Sequence, residues 1–263
     1  MQLPEENIKT REVTQWQGLH LLHYDLSSCS QKVRILMREL GIQFTSHPIN
    51  LMRNENRTPW FTGINPNGLV PVLVHDGVVH IESNDIITYL NEHFGDGSLL
   101  PVDAGEETDM QTLMDLEDHL HPDLRTVTFT YLAPDPSDHA PKVTADDFGF
   151  ITRFDAAMQQ LNQQLKGRAY LLGERMTLAD ISWFITLYRL TRAGFPMTNY
   201  PLVDAYYRRI SARPAFQKEV AAGPLPLRVA GALYRRLNQR FRRSLAADYQ
   251  RWRSLGPGSP AGG

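Results

Sequence analysis

A chain of 263 residues can form one large domain or two modest ones with ample core. Its 42% hydrophobic and 21% charged content is ordinary for a globular protein, and a formal net charge of −2 gives no reason to expect nucleic acid as a partner. The single cysteine, Cys29, excludes an internal disulfide framework and fits a reducing compartment. The polar start, MQLPEENIKTREVTQWQG, lacks the apolar stretch of a secretory signal. No apolar run approaches the roughly 18 residues of a membrane span, so a cytoplasmic location is expected.

After a polar tail over 1–18, residues 19–96 alternate between strand and helix patterns. LHLLHY (19–24) reads as a short strand and leads into the serine-rich turn around Cys29. Val33, Leu36, Met37 and Leu40 then fall on one helical face, and Gly41 stops the helix. QFTSHPINL predicts a second strand, with Pro48 favouring either an edge position or a late break in pairing. Strand, helix and strand together make a right-handed crossover with parallel strands. A short helix is expected near Trp60. PVLVHDGVVHI is two apolar runs joined by Asp76-Gly77, a hairpin signal. Ser83 is placed to cap a helix whose inner side carries Ile86, Ile87 and Leu90.

GDGSLLPVDAGEE is turn-rich and assigns a linker to 97–107. Strand patterns then vanish, and 108–222 reads as all-helical. TLADISWFITLYRL is apolar nearly all round, as a central bundle helix would be, with Thr177 and Asp180 in capping-box spacing. Two short helices break at Pro214. From 223 to 254 the chain is basic and amphipathic, and 255–263 reads as a disordered tail. Between Arg228 and Arg253 arginines face a single acid, Asp248, while Leu233, Leu237, Phe241, Leu245, Tyr249 and Trp252 form an apolar stripe. This segment has three readings: packing on its own acidic protein, contact with an anionic membrane surface, or docking of a partner or nucleic acid.

Four stretches resemble the glutathione S-transferase superfamily: SSCSQKVRILMRELGI, NPNGLVPVL, ESNDI and LLGERMTLADIS. The first is similar to the first-helix motif of zeta-class enzymes (maleylacetoacetate isomerases), of bacterial tetrachlorohydroquinone dehalogenases and, more loosely, of the beta class. The resemblance implies an α/β thioredoxin-like N-terminal domain followed by an all-α C-terminal domain, a homodimer, glutathione as co-substrate and a place in detoxification.

It also implies the site. A glutathione thiol must ionise to become a nucleophile, and donors at a helix N-terminus favour the thiolate. Zeta-like spacing selects Ser27 as that donor, and theta-like spacing selects Ser28. In the dehalogenase-like and beta-like patterns Cys29 itself forms a mixed disulfide with glutathione; the alternative is that Cys29 only packs. Ser30 is either a cap or a glutathione contact. A cis Val70-Pro71 bond is implied, turning the Val70 main chain outward to pair with the cysteinyl part of the ligand. Ser83 would bind the γ-glutamyl carboxylate, with Glu82 or Asp85 accepting from its ammonium. Leu69 replaces the polar residue common before Val-Pro, so the glycine carboxylate needs another anchor, among Arg53, Arg57 and Asn67. Asp115, His119, Arg125, Tyr131 and Trp183 are candidates for lining the second-substrate site. His119 and His121, two apart on a helix, point away from each other, so no metal is expected.

Conjugation, cis–trans isomerisation and thiol-dependent dehalogenation or reduction of a small electrophile all remain open. A rival from another class keeps the fold and loses the chemistry: a glutathione-independent interaction module working through the basic C-terminal helix.

Overall fold

The computed structural model describes residues 1–133, 148–221, 233 and 244–256. The chain divides into two units, Met1–Leu100 with Pro214–Gly223, and Pro101–Arg213 with Pro224–Gly263.

In the first unit, strand β1 (Leu19–His23) lies in the middle of a four-stranded sheet. Helix α1 (Ser28–Glu39) carries the chain to β2 (Thr45–Pro48), which pairs parallel to β1 at the sheet edge, with Pro48 its last residue. Two 3₁₀ turns and the short helix α2 (Pro59–Thr62) follow. Strands β3 (Val72–His75) and β4 (Val78–His80) then form an antiparallel hairpin, and β3 also pairs with β1, in the order β2-β1-β3-β4. Asp76 and Gly77 both take positive φ, 47° and 81°, as a tight two-residue turn demands. Gly77 also has no room for a side chain, because a Cβ there would lie 2.2 Å from the Thr14 carbonyl oxygen. Helix α3 (Ser83–Phe94) closes the α/β unit and buries Ile86, Ile87 and Leu90.

Four expectations change in detail. The polar start is no loose tail: Ile8 and Val13 join a core with Leu22, Phe61, Val72, Val74 and Val79, and Leu3 N–H donates to the Val79 carbonyl at 2.9 Å. The cap of α3 is Glu82, at φ 66°, with Ser83 as the first helical residue. The linker is shorter than 97–107, because the Asp103 carboxylate caps helix α4 (Ala104–His119) through the Gly105 and Glu106 N–H groups. Helix α9 (Pro214–Ala221), read from the sequence with the all-helical half, packs on α1 in the first unit.

The second unit contains, among the described residues, α4, α5 (His121–Val127), α6 (Gly149–Gln164), α7 (Leu178–Ala193), α8 (Pro201–Ser211) and α10 (Leu245–Leu255). Helix α7 is the central one. Its cap is a closed network: the Asp180 carboxylate accepts from the Thr177 N–H at 2.7 Å, the Leu171 N–H at 3.1 Å and the Tyr206 hydroxyl at 2.7 Å. Helix α10 packs on its own unit. Leu245, Tyr249 and Trp252 are buried; Tyr249 donates to Asp155 at 2.5 Å and Trp252 Nε1 to Thr152 at 3.0 Å. Arg251 and Arg253 stay exposed, so the described end of the basic segment buries its stripe and turns its charge outward. Its six other arginines, with Leu237 and Phe241, lie outside the described residues, as do 134–147 and the tail from 257. Among the described residues no helix is long and apolar enough to cross a membrane.

Candidate functional site

Strand register gathers three loops at one end of the sheet. Leu22 pairs with Val72, so the turn after β1 (24–27) and the segment before β3 (69–71) leave the sheet side by side. Leu73 pairs with His80, which brings the end of β4, and with it Glu82 and Ser83, to the same end. Residues far apart in sequence thus line one edge because β3 runs antiparallel to both neighbours.

At the first loop Ser27 is the N-cap of α1, and its Oγ accepts from the Ser30 N–H at 3.3 Å. The cap consumes a lone pair and leaves the O–H proton for another acceptor, since a hydroxyl offers one donor and two acceptors. Ser28 is buried as the first helical residue, and Cys29, the second, is half-buried. Ser30 is fully buried, and its hydroxyl accepts from the Tyr24 N–H at 3.3 Å. Neither expectation for Ser30 therefore holds: it is not the cap, and it has no surface to offer a ligand.

At the second loop the Val70-Pro71 peptide is cis. Among the described residues no hydrogen bond engages the Val70 N–H or C=O. The loop is tied from behind, with Asn65 Nδ2 donating to the Leu69 carbonyl at 2.8 Å and Asn56 Nδ2 to the Gly68 carbonyl at 2.7 Å. Leu69 itself is 55% exposed. The Arg57 guanidinium lies against Gly68, whose added Cβ would meet its Nη1 at 3.0 Å. Arg53 is exposed in the preceding 3₁₀ turn and Asn67 is exposed in the loop.

At the third loop Glu82 is exposed and Ser83 buried at the mouth of α3, where the first N–H groups of a helix have no partner within it. The Asp85 carboxylate lies 2.9 Å from the Met1 amino group.

Two second-substrate candidates are overturned. Trp183 has no exposed surface and its Nε1 donates to the Leu113 carbonyl at 2.8 Å; Tyr131 is buried with its hydroxyl on Asp248 at 2.6 Å. Both are core residues, with their polar tips satisfied inside the second unit. Asp115 and His119 lie one turn apart on the exposed face of α4, where His119 Nδ1 bonds the Asp115 carbonyl at 2.6 Å. Arg125, exposed on α5, stacks over the Phe129 ring at 5.4 Å. Among the described residues no group of three or more His, Cys, Asp or Glu could hold a metal ion.

One charged cluster escaped the sequence reading. Arg34 of α1 and Glu219 of α9 are buried together, with Arg34 Nε 3.0 Å and Nη2 2.5 Å from Glu219 Oε1. His23 sits beside them, accepting from Arg34 Nη1 on Nδ1 at 2.8 Å and donating from Nε2 to Ser46 Oγ at 2.7 Å. Burial first, and the Arg34 charge second, push its pKa down to about 4 against the opposing pull of Asp25, so the ring is neutral at ordinary pH. The usable signal was a pair of arginines, Arg34 and Arg38, on a helix with little exposed surface.

Residues 26–93 match the glutathione S-transferase N-terminal domain family, and 140–209 match the C-terminal domain family. A zeta-class glutathione S-transferase of Euphorbia esula is 31% identical over 203 residues, spanning 76% of this chain and 88% of that protein. The chain belongs to the glutathione S-transferase family. Glutathione S-transferase 3 of Zea mays is also 31% identical, over 79% of this chain and 96% of its own length. Among solved structures, glutathione transferase E6 of Drosophila melanogaster superposes with a TM-score of 0.69 at 21% identity, over 84% of this chain and 97% of that one. A theta-class enzyme of Xanthomonas axonopodis, solved with glutathione bound, gives 0.66 at 24%, over 78% and 98%. The last two bear on fold alone.

Proposed function

We propose that this glutathione S-transferase binds glutathione across the three loops at the sheet end and uses Ser27 to hold its sulfur as thiolate. The observation that carries the reading is the Ser27 cap: Oγ is fixed by the Ser30 N–H while its own proton is left to donate. The start of α1 adds about half a positive charge in the same place, and both effects favour the ionised thiol over its usual value of about 8.5. The unengaged Val70 N–H and C=O pair with the cysteinyl main chain. Ser83 and the first N–H groups of α3 take the γ-glutamyl carboxylate, and Glu82 takes the ammonium. Arg57, packed on the loop just before Leu69, anchors the glycine carboxylate.

The thiolate so held attacks, isomerises or reduces a small electrophile, with positioning and thiolate activation supplying most of the rate. Cys29, one residue into the helix, is the alternative sulfur for the thiol-exchange branch. The zeta-class relative of 31% identity in Euphorbia esula supports placing maleyl-type diacids first in the panel. The working form is a homodimer.

Calorimetric titration with glutathione tests the reading, and no binding at about 1 mM would overturn it. Turnover of Ser27→Ala and Cys29→Ala should then be compared on maleyl-type diacids, halogenated aromatics, peroxides and mixed disulfides. Ser27→Ala is expected to lose on the order of 100-fold in kcat/KM on every substrate that needs the thiolate. A Cys29→Ala protein with full rates throughout would remove the cysteine from the chemistry.

A further inference from the structure

The Arg34–Glu219 pair has no role assigned above, and the bonds of Arg34 lead to the turn that ends at Ser27. Besides Glu219 and His23, the Arg34 guanidinium donates to the Tyr24 carbonyl from Nη1 at 3.3 Å and to the Asp25 carbonyl from Nη2 at 2.9 Å. Those two carbonyls belong to the turn that ends at Ser27, whose N–H donates back to the Tyr24 carbonyl at 3.1 Å. One buried cation thus grips the backbone of the turn at two successive residues. The grip needs Glu219: Arg34 is 5% exposed, and a guanidinium at that depth requires a charge partner to stay in place. Glu219, itself 2% exposed, is braced from the other side by Arg38 Nε, 3.2 Å from Oε2.

We infer that Glu219, acting through Arg34, is a positioning residue for catalysis: the last described turn of α9 sets the Tyr24–Ser27 turn and thereby aims the Ser27 hydroxyl. This rests on the proposed role of Ser27. The chain of contacts is continuous: Glu219 orients the guanidinium fork, the fork fixes two carbonyls, and the second carbonyl lies two residues before the cap. Lengthening any link lets the hydroxyl wander, and a displacement of about 1 Å at a reacting group can cost on the order of 100-fold in rate. Neutral His23 completes the seat by accepting the Arg34 proton that faces it.

A cavity of about 330 Å³ beside the pair is lined by His23, Asp25, Arg34, Arg38, Phe44, Ser46 and Glu219. It makes the role testable by chemical rescue, because truncating Glu219 leaves space next to two arginines for a small carboxylate.

The test uses the full chain, with rates expressed per folded molecule from thermal melts. First, the wild type is titrated with glutathione and the thiolate of the complex is followed against pH by its ultraviolet absorbance. Glu219→Ala is expected to keep its affinity for glutathione within about threefold while the thiol pKa rises by about one unit. Its kcat should fall about 10- to 100-fold. Acetate should restore part of the kcat loss, and should do nothing for Ser27→Ala. Glu219→Gln, which keeps the shape and removes the charge, gives the same reading should the alanine protein not fold. On a Ser27→Ala background the Glu219 replacement should add no further shift. An unmoved thiol pKa and kcat per folded molecule in Glu219→Gln would overturn the inference, as would fully additive effects with Ser27→Ala. If the wild type itself fails to bind or ionise glutathione, the proposed function falls and the inference with it; if the wild type does both, the variants judge the positioning role alone.

Discussion

At the start of α7, Thr177 and Asp180 are completely buried, and the Asp180 carboxylate is spoken for by two backbone N–H groups and the Tyr206 hydroxyl. At the start of α1, Ser27 is half-buried and uses only its oxygen, as the acceptor of one N–H. Both devices satisfy the orphan donors of a helix end. The closed one joins α7 to α8 and to the Leu171 segment and can do nothing else. The open one leaves a proton and a positive helix end facing outward, which is what a ligand thiolate requires. A cap fully enclosed contributes stability; on the proposed reading, the same chemistry left ajar contributes a site.

The largest effect expected from breaking this contrast is at the closed cap. Asp180→Ala would leave two buried N–H groups and the Tyr206 hydroxyl without acceptors, and should cost about 3–5 kcal/mol in urea unfolding. A loss under about 1 kcal/mol would show that water repairs the cap and that it is not closed in solution.

Acid sharpens the comparison next. His23 and His80 are held neutral by burial, each with a pKa lowered from 6.5 to about 4. Secondary pushes come from Arg34 on His23, and from the Met1 ammonium, His75 and His93 on His80. Between those values the unfolded chain binds more protons than the folded one, so stability is complete above pH 6.5 and declines as pH falls towards 4. The full loss is roughly 3 kcal/mol per histidine. Burial raises the Asp180 carboxyl, so acid does not count against the α7 cap. The first unit should therefore loosen before the second, and hydrogen exchange at pH 7 and pH 5 would show it. Equal protection changes in β1 and α7 would refute that order.

The open cap should matter little to folding. Ser27→Ala is expected to cost about 1 kcal/mol in urea unfolding, and Ser27→Gly a few tenths of that, while both remove the hydroxyl proposed as thiolate donor. Smallest of all, Asp115→Asn and His119→Ala change exposed groups on α4 and should shift stability by no more than about 0.5 kcal/mol. A strong, substrate-specific change in KM with unchanged stability would keep that face of α4 as a specificity surface.

Much of this was legible from local spacing. The Asp76-Gly77 hairpin and the Thr177/Asp180 capping box are decided within four residues, where steric and hydrogen-bond preferences act directly. Element ends were harder: Glu82 rather than Ser83 caps α3, because a residue at φ 66° can turn the chain one position earlier. Trp183 and Tyr131 looked like pocket residues by position, since a polar tip on an aromatic ring does not reveal whether its partner is a ligand or a Leu113 carbonyl.

The sequence by itself determined the order of strands and helices, the Thr177/Asp180 capping box of α7 and the stretches that mark the family, because each rests on neighbours along the chain. Tertiary structure alone decided that the loops at Ser27, Val70 and Ser83 share one end of a sheet, through the register of β3. It alone decided that Glu219 meets Arg34, 185 residues away, and turns a buried cation into a grip on the Tyr24–Ser27 turn. A buried charge has to find a partner in three dimensions, and nothing in linear spacing says which residue will be close enough to serve.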